Sequence, residues 1–309
     1  MEVYVGIDVS QDRLDVHLLP SGEAFALARD GAGIEALASR LCALGPALVV
    51  MEATGGFETV VAAGLAAQGL PLVVVNPRQI RAFAQALGLK AKTDTLDAQV
   101  IARFAEAVRP APRPLPDEAA RALGEMVARR RQLVEMIVAE RNRRRMLVRP
   151  KLIRGVDRVL SMLQQELSAL ERDLDETIRG TPAWREAESL LSSVPGVGDK
   201  TARTLIAELP ELGRLDRRKI AALAGLAPFN RDSGRSRGQR RIGGGRASVR
   251  AALYMAALVA MRWNPVLKPV AERMRTAGKR PKLIVIAIAR KLLVILNAIL
   301  REKKPWQIT

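Results

Sequence analysis

A chain of 309 residues with 49% hydrophobic content is long enough for two or three domains, each with a core of its own. One cysteine (Cys42) and one histidine (His17) exclude an intrachain disulfide, leave no Cys/His zinc site and argue against a Ser-His-Asp mechanism, so both read as packing or surface residues. The net charge of +18 is unevenly spread, with 10 basic and 12 acidic residues in 1–116 against 40 and 20 in 117–309, so the second part favours a polyanion, nucleic acid before a membrane surface.

From the N-terminus, VYVGIDVS (3–10) and RLDVHLLP (13–20) read as a hairpin and EAFALAR (23–29) as a third strand. ALVVMEA (47–53) and LPLVVVNP (70–77) read as buried strands separated by helical runs, which makes 1–108 an α/β domain. The opening MEVYVGIDVS has an acid at position 2 and a strand pattern at once, with no signal or transit peptide pattern, and predicts a cytoplasmic protein.

KTDTLDA (92–98) precedes the helical pattern AQVIARFAEAV. Thr or Asp followed three residues later by an acid is a helix N-terminus signature. Equally, Asp94 and Asp97 at i and i+3 share one helix face and could share a divalent cation. Asp8 near the end of the first strand and Glu52 at the end of another add two more acids. A strand–strand–strand–helix–strand domain with acids at these places is the arrangement of RNase H-like nucleases, whose carboxylates hold Mg²⁺ around a scissile phosphate. Alone, GIDVS also fits an actin-like kinase or ATPase, but downstream the chain is basic and carries no second phosphate loop.

Prolines at 110, 112, 114 and 116 make 109–116 an extended linker. Residues 117–182 read as a basic helical coiled-coil segment, with Val156, Val159, Leu160, Leu163, Leu167, Leu170, Leu174 and Ile178 at threes and fours. Within it, 129–154 holds ten Lys/Arg, including Arg129, Arg130, Arg131, Arg143, Arg144 and Arg145, against Glu135 and Glu140. Such a run is a solvated face or a surface that meets something anionic.

Residues 183–309 read as a mainly helical C-terminal domain. SVPGVGDKTA (193–202) looks like a helix-hairpin-helix motif, in which the turn at Gly196 and Gly198, followed by Lys200, would offer backbone N–H groups and a charge to a phosphate. FNRDSGRSRGQRRIGGGRASVR (229–250) carries Arg231, Arg235, Arg237, Arg240, Arg241, Arg246 and Arg250, and its five glycines predict a mobile loop. Tyr254 falls in the apolar run ALYMAALVAM and reads as a packed helical residue, and LIVIAIARKLLVILNAIL (283–300), with Arg290 and Lys291 at its middle, as a buried or amphipathic helix, with no membrane partner.

GIDVSQDRLDV, MEATGGFE, VVNPRQIRAFAQALGLKAKTDTLDA, SVPGVGDKTA and AGLAPFNRDSGRSRGQRRIGGGRASVRAALYMAAL, in this order, resemble the DEDD-type insertion-sequence transposases, also described as bridge-RNA-guided recombinases. The resemblance implies a RuvC-like (RNase H-fold) N-terminal domain whose Asp-Glu-Asp-Asp quartet falls on Asp8, Glu52, Asp94 and Asp97 and holds Mg²⁺. It also implies a serine nucleophile at Ser233, with Ser236 as the nearby rival. Donor and target double-stranded DNA, a structured guide RNA and a homo-oligomer, dimer or tetramer, are implied partners. A Holliday-junction-type nuclease using water is the alternative enzyme, and a non-enzymatic nucleic-acid-binding protein the alternative class.

Overall fold

In a computed structural model the structure describes residues 1–89, 94–112, 117–230, 232–233, 236–238 and 240–307, with backbone alone at 94–96, 232–233 and 236–237. The chain divides into two compact units, Met1–Pro116 and Asp117–Thr309.

The first unit opens with an antiparallel meander, β1 (Tyr4–Val9), β2 (Arg13–Leu19) and β3 (Ala24–Ala28). After α1 (Gly31–Leu44), β4 (Leu48–Glu52) pairs parallel to β1, and after α2 (Phe57–Ala67), β5 (Leu72–Val75) pairs parallel to β4. Helices α3 (Pro77–Ala86) and α4 (Asp94–Val108) complete the unit. The sheet order is β3-β2-β1-β4-β5, so all five sequence-predicted strands form, in one mixed sheet.

Alternation sorts the strand residues onto two covered faces. Val5, Ile7, Val49 and Met51 pack under Leu37 and Leu41 of α1 and Leu65 of α2, whereas Tyr4, Leu48, Val50 and Val73 pack under Ile101, Phe104 and Ala105 of α4. Helix α4 lies unusually close to β1. A Cβ added at Gly6 would stand 2.3 Å from the backbone oxygen of Ala98 and 2.3 Å from the backbone nitrogen of Ala102, so only glycine admits this contact.

The second unit begins with a hairpin of long helices, α5 (Glu118–Met146) and α6 (Pro150–Gly180). Asp117 caps α5 by accepting from Ala120 N at 2.7 Å, and Pro150 opens α6 at a position where no amide donor is needed. Leu123 and Val127 meet Leu174 and Ile178, while Leu133 and Ile137 meet Leu160 and Leu163, so the two helices run antiparallel along one apolar seam.

There follow α7 (Pro182–Ser192), α8 (Asp199–Glu208), α9 (Arg217–Leu223), four two-residue strands, and α10 (Ala247–Trp263), α11 (Leu267–Thr276) and α12 (Pro281–Glu302). Helix α12 is long and apolar enough to cross a membrane by length and composition, but Ile288, Leu292, Leu293 and Leu296 are wholly buried in the core of this unit. Its buried Asn297 is satisfied: Oδ1 accepts from Gly213 N at 2.8 Å and Nδ2 donates to Leu215 O at 2.9 Å.

In the arginine- and glycine-rich stretch, where composition predicts a mobile loop, the described residues include short paired strands. β6 (Pro228–Phe229) pairs antiparallel with β9 (Arg241–Ile242), and β7 (Asp232–Ser233) with β8 (Ser236–Arg237), giving a β-hairpin. One of its glycines, Gly245, serves close packing. Gly245 has φ +62, and a Cβ there would stand 2.2 Å from Gly225 N; Gly244 has φ +64 and gives its carbonyl to Arg250 at 2.6 Å.

Candidate functional site

Register and alternation bring the acids of the first unit to one end of the sheet. Ile7 pairs with Met51, so Asp8 and Glu52 are the next residues on adjacent parallel strands. Asp8 shares a face with Gly6, and Glu52 shares a face with Val50; both faces are the one α4 covers.

Along β1, Tyr4 lies with Ile101, Phe104 and Ala105, and Gly6 with Ala98 and Ala102, so the N-terminus of α4 points towards Asp8. Two strand residues advance roughly 6.6 Å, about four helix residues, which places the level of Asp8 near residue 96, between Asp94 and Asp97. Asp8, Glu52 and Asp97 are all half-buried. The structure therefore gathers these three with the first turn of α4, where the backbone of Asp94 begins the helix.

Two residues that sequence reasoning passed over, Asp15 and Glu58, complete this end together with His17, which the sequence reads as a packing or surface residue. Asp15 stands directly across from Asp8 in the β1–β2 register, on the same face, and is buried, with its carboxylate 2.7 Å from Arg13 Nη2. Like charges directly opposite one another are destabilising, and the Arg13 partner offsets that of Asp15. Strict period-two reading of RLDVHLL puts Arg13, Asp15 and His17 on one face, which was the available signal. His17 is buried, neither ring nitrogen has a partner among the described residues, and burial first, then the charge of Arg103, holds its pKa below the ordinary histidine value. It stays neutral and acts as packing.

Glu58 is the third. Its Oε2 accepts from Thr54 N and Thr54 Oγ1, each at 3.1 Å, and from Gly56 N at 2.8 Å. The turn it holds leads directly out of Glu52 and uses positive φ at Gly55 (80) and Gly56 (125). ATGGFE is thus a rigid support for the metal-ligand candidate before it.

Oxygen-only donors on a rigid sheet end suit Mg²⁺, and Asp8, Glu52 and Asp97 fit that chemistry and placement. Among the described residues no three Asp, Glu, His or Cys side chains close a metal-holding group by themselves. The Asp94 side chain lies outside the described residues, and so do those of Ser233, Ser236 and Arg237. Backbone pairing puts Ser233 opposite Ser236 beside the 234–235 connection, which with Arg231 and Arg235 lies outside the described residues. Tyr254 packs partly buried against the helical core.

The basic residues of the second unit have more internal partners than the local count of Glu135 and Glu140 suggests. Arg130 donates to Glu171 of α6 at 3.0 Å, Arg131 to Glu208 of α8 at 2.7 Å, Arg143 to Glu140, and Arg144 to both carboxylate oxygens of Asp157. Lys200 Nζ lies 3.0 Å from Glu171. Arg246 forks onto Glu211 at 2.5 and 2.7 Å and donates to the Glu208 carbonyl at 2.9 Å. Arg129 donates to Gln132 Oε1 at 3.3 Å, and Arg145, Arg240 and Arg241 are exposed. Acids far away in sequence neutralise much of the run.

Helices α7 and α8 join through Ser193–Gly198. Gly196 (φ +103) faces α10, where a Cβ would stand 2.8 Å from Ala260, so this glycine is required for packing. Gly198 caps α8 without a side-chain acceptor, which leaves the helix start open to solvent-borne partners.

Residues 5–150 match a family model described as a transposase, of the DEDD IS110 type, and residues 188–272 match one described as the transposase IS116/IS110/IS902 family. The chain is 31% identical over 264 residues to a pilin gene-inverting protein of Moraxella bovis, a match covering 84% of this chain and 81% of that protein. It is 35% identical over 156 residues to the insertion element IS900 42 kDa protein of Mycobacterium paratuberculosis, covering 47% and 38%. The insertion element IS110 43.6 kDa protein of Streptomyces coelicolor is 28% identical over 145 residues, covering 46% and 35%.

Proposed function

Because the chain belongs to the IS116/IS110/IS902 family of DNA transposases, we propose that it cuts and rejoins DNA with Ser233 as nucleophile and Asp8, Glu52, Asp94 and Asp97 as its metal-binding quartet. The observation that supports this most is the meeting of Asp8, Glu52 and Asp97 with the start of α4 at one sheet end. Bound Mg²⁺ would supply charge stabilisation at the phosphate and acidify a coordinated hydroxyl. The carboxylates hold that charge in place, with Glu58 fixing the turn behind Glu52.

Ser233 Oγ attacks the phosphorus of a DNA phosphodiester, its proton leaves to solvent, and the departing deoxyribose oxygen takes up a proton in turn. A phosphoserine link results. The hydroxyl of a second strand then attacks the same phosphorus and releases Ser233, so bonds made and broken balance without an external energy source. Neighbouring Arg235 and Arg237 neutralise phosphate charge. A sequence of such exchanges by this chain would suffice for an inversion of the kind named for the Moraxella relative.

In this reading Ser233 of one protomer serves the quartet of another within a dimer or tetramer, a structured RNA pairs with donor and target DNA, and the reaction takes place on cytoplasmic DNA. Among the described side chains of the predicted set, exposed Arg129, Arg145, Arg240 and Arg241 are the cations most available to a polyanion. The test is a suicide substrate, nicked so that the cut strand diffuses away, incubated with full-length protein and the RNA encoded beside its gene. Wild type should trap a denaturant-resistant protein–DNA adduct mapping to Ser233, and Ser233→Ala none. Full cleavage by Ser233→Ala would instead identify a nuclease that uses water.

A further inference from the structure

Residues 262–282 form a surface that the family match to 188–272 covers only in part and that no sequence motif marked. Seven cations, Arg262, Lys268, Arg273, Arg275, Lys279, Arg280 and Lys282, face solvent there against one acid, Glu272. None of the seven enters an ion pair or side-chain hydrogen bond among the described residues, in contrast to the paired arginines of α5.

Two of these cations stand where a helix disfavours them. Arg280 is the N-cap of α12 and Lys282 its second residue, against the positive end of the helix dipole; Pro281 has no amide to satisfy and the Arg280 carbonyl accepts from Leu283 N and Ile284 N, so the unrelieved part is the charge itself. Such a helix start is relieved by an anion. At the other end of α11, about 15 Å away by helix rise, Trp263 is 74% exposed between Arg262 and Lys268. The other tryptophans, Trp184 and Trp306, pack against apolar clusters. An open groove lined by Val266, Pro269, Val270, Arg273 and Thr276, and by the carboxylate-bearing Glu272, runs along α11 between the two ends, so the cations that flank it and not its floor would meet phosphate.

We propose that this surface binds an unpaired stretch of nucleic acid, its phosphates along α11 to the Lys279–Lys282 turn and one base stacked on Trp263. The proposal rests on the transposase reading and names a contact region for its nucleic acid. A flat indole among cations suits a base more than a duplex, because paired bases keep their faces inside the stack. A lipid surface would also accept the cations, but it gives no reason for the indole to distinguish single strands from duplexes.

The test uses full-length protein and fluorescence anisotropy with short single-stranded RNA, single-stranded DNA and duplex DNA of one sequence, over a range of salt. Replacing Lys279, Arg280 and Lys282 together by alanine should lower the log–log salt slope for single strands by about 2, at roughly 0.7 per phosphate contact. Trp263→Ala should weaken single-strand binding about tenfold, Trp263→Phe should restore most of it, and duplex binding should stay within about twofold. Melting temperatures should match wild type, since every altered side chain is exposed and unpaired among the described residues.

Preference for the RNA strand assigns the surface to a guide, preference for the DNA strand to an opened substrate, and equal affinity supports the shared chemistry. Wild-type slope in the triple variant, equal loss on single strands and duplex in Trp263→Ala, or tighter binding to phosphatidylserine vesicles than to any oligonucleotide would overturn it. Absence of salt-dependent binding by the wild-type protein would sink the parent reading instead.

Discussion

The two units concentrate charge in opposite ways. In the first, backbone register delivers acids from β1, β4 and α4 to one sheet end, and each half-buried position is set by elements that cannot slip without turning their apolar faces outward. In the second, cations are spread over helices, and whether one is available depends on acids brought from elsewhere by tertiary packing. Chemistry should therefore fail sharply when the first unit is altered, whereas affinity should erode by degrees in the second.

The sharpest way to break this division is Asp8→Asn. Removal of one carboxylate charge should slow strand cleavage by at least about a hundredfold, several kcal/mol of lost charge stabilisation, while nucleic-acid affinity stays close to wild type. Gel cleavage assays and anisotropy on the same preparation check it. A protein that cut normally but bound weakly would reverse the assignment of roles.

Gly6→Ala tests the geometry itself. The new methyl would stand 2.3 Å from two backbone atoms of α4, neither able to rotate away, so α4 must shift from β1. A loss of about 3 kcal/mol is expected from urea midpoints, together with weaker Mg²⁺ binding by calorimetry, because the helix that carries Asp94 and Asp97 moves with it. Unchanged stability would show that α4 does not lie where its contacts with Gly6 require.

Arg246→Ala sharpens the comparison inside the second unit. The guanidinium ties Glu211 and the end of α8 to the start of α10, so its loss should cost roughly 1–2 kcal/mol in urea and leave the salt slope of nucleic-acid binding unchanged. A slope that falls by about one with no stability loss would make Arg246 a phosphate contact.

The same contrast between the units governs how much of each could be read in the chain. The five strands were legible because apolar runs and alternation are local, and so were Asp8 and Glu52 at strand ends. Asp15 was not singled out, since its position opposite Asp8 depends on hairpin register, nor was Glu58, whose acceptor role depends on how the Gly55–Gly56 turn closes. In the second unit the helices were legible from periodicity, but the glycines of 243–245 and Gly196 looked like freedom or phosphate contacts. The close approach of Gly245 to Gly225 and of Gly196 to Ala260 is a property of packing between distant segments. Likewise Glu171 and Glu208 sit 41 and 77 residues from the arginines they neutralise, beyond any local count.

The smallest expected effect concerns Glu171. Burial pushes its carboxyl up, but hydrogen bonds and charge from Lys200 and Arg130 outweigh this and hold its pKa below the ordinary 4.5. A depressed folded value means that the stabilisation is fully present above about pH 4.5 and is lost as pH falls through the lower folded value. Glu171→Gln should therefore lower stability by about 1 kcal/mol at pH 7, and the gap to wild type should close in acid, below the ordinary carboxylate range. Urea midpoints at pH 7 and pH 3 measure both ends. If the gap instead persisted unchanged in acid, Glu171 would be holding α5, α6 and α8 by shape, and neutralisation of Arg130 and Lys200 would have to come from another anion, the polyanion itself among them.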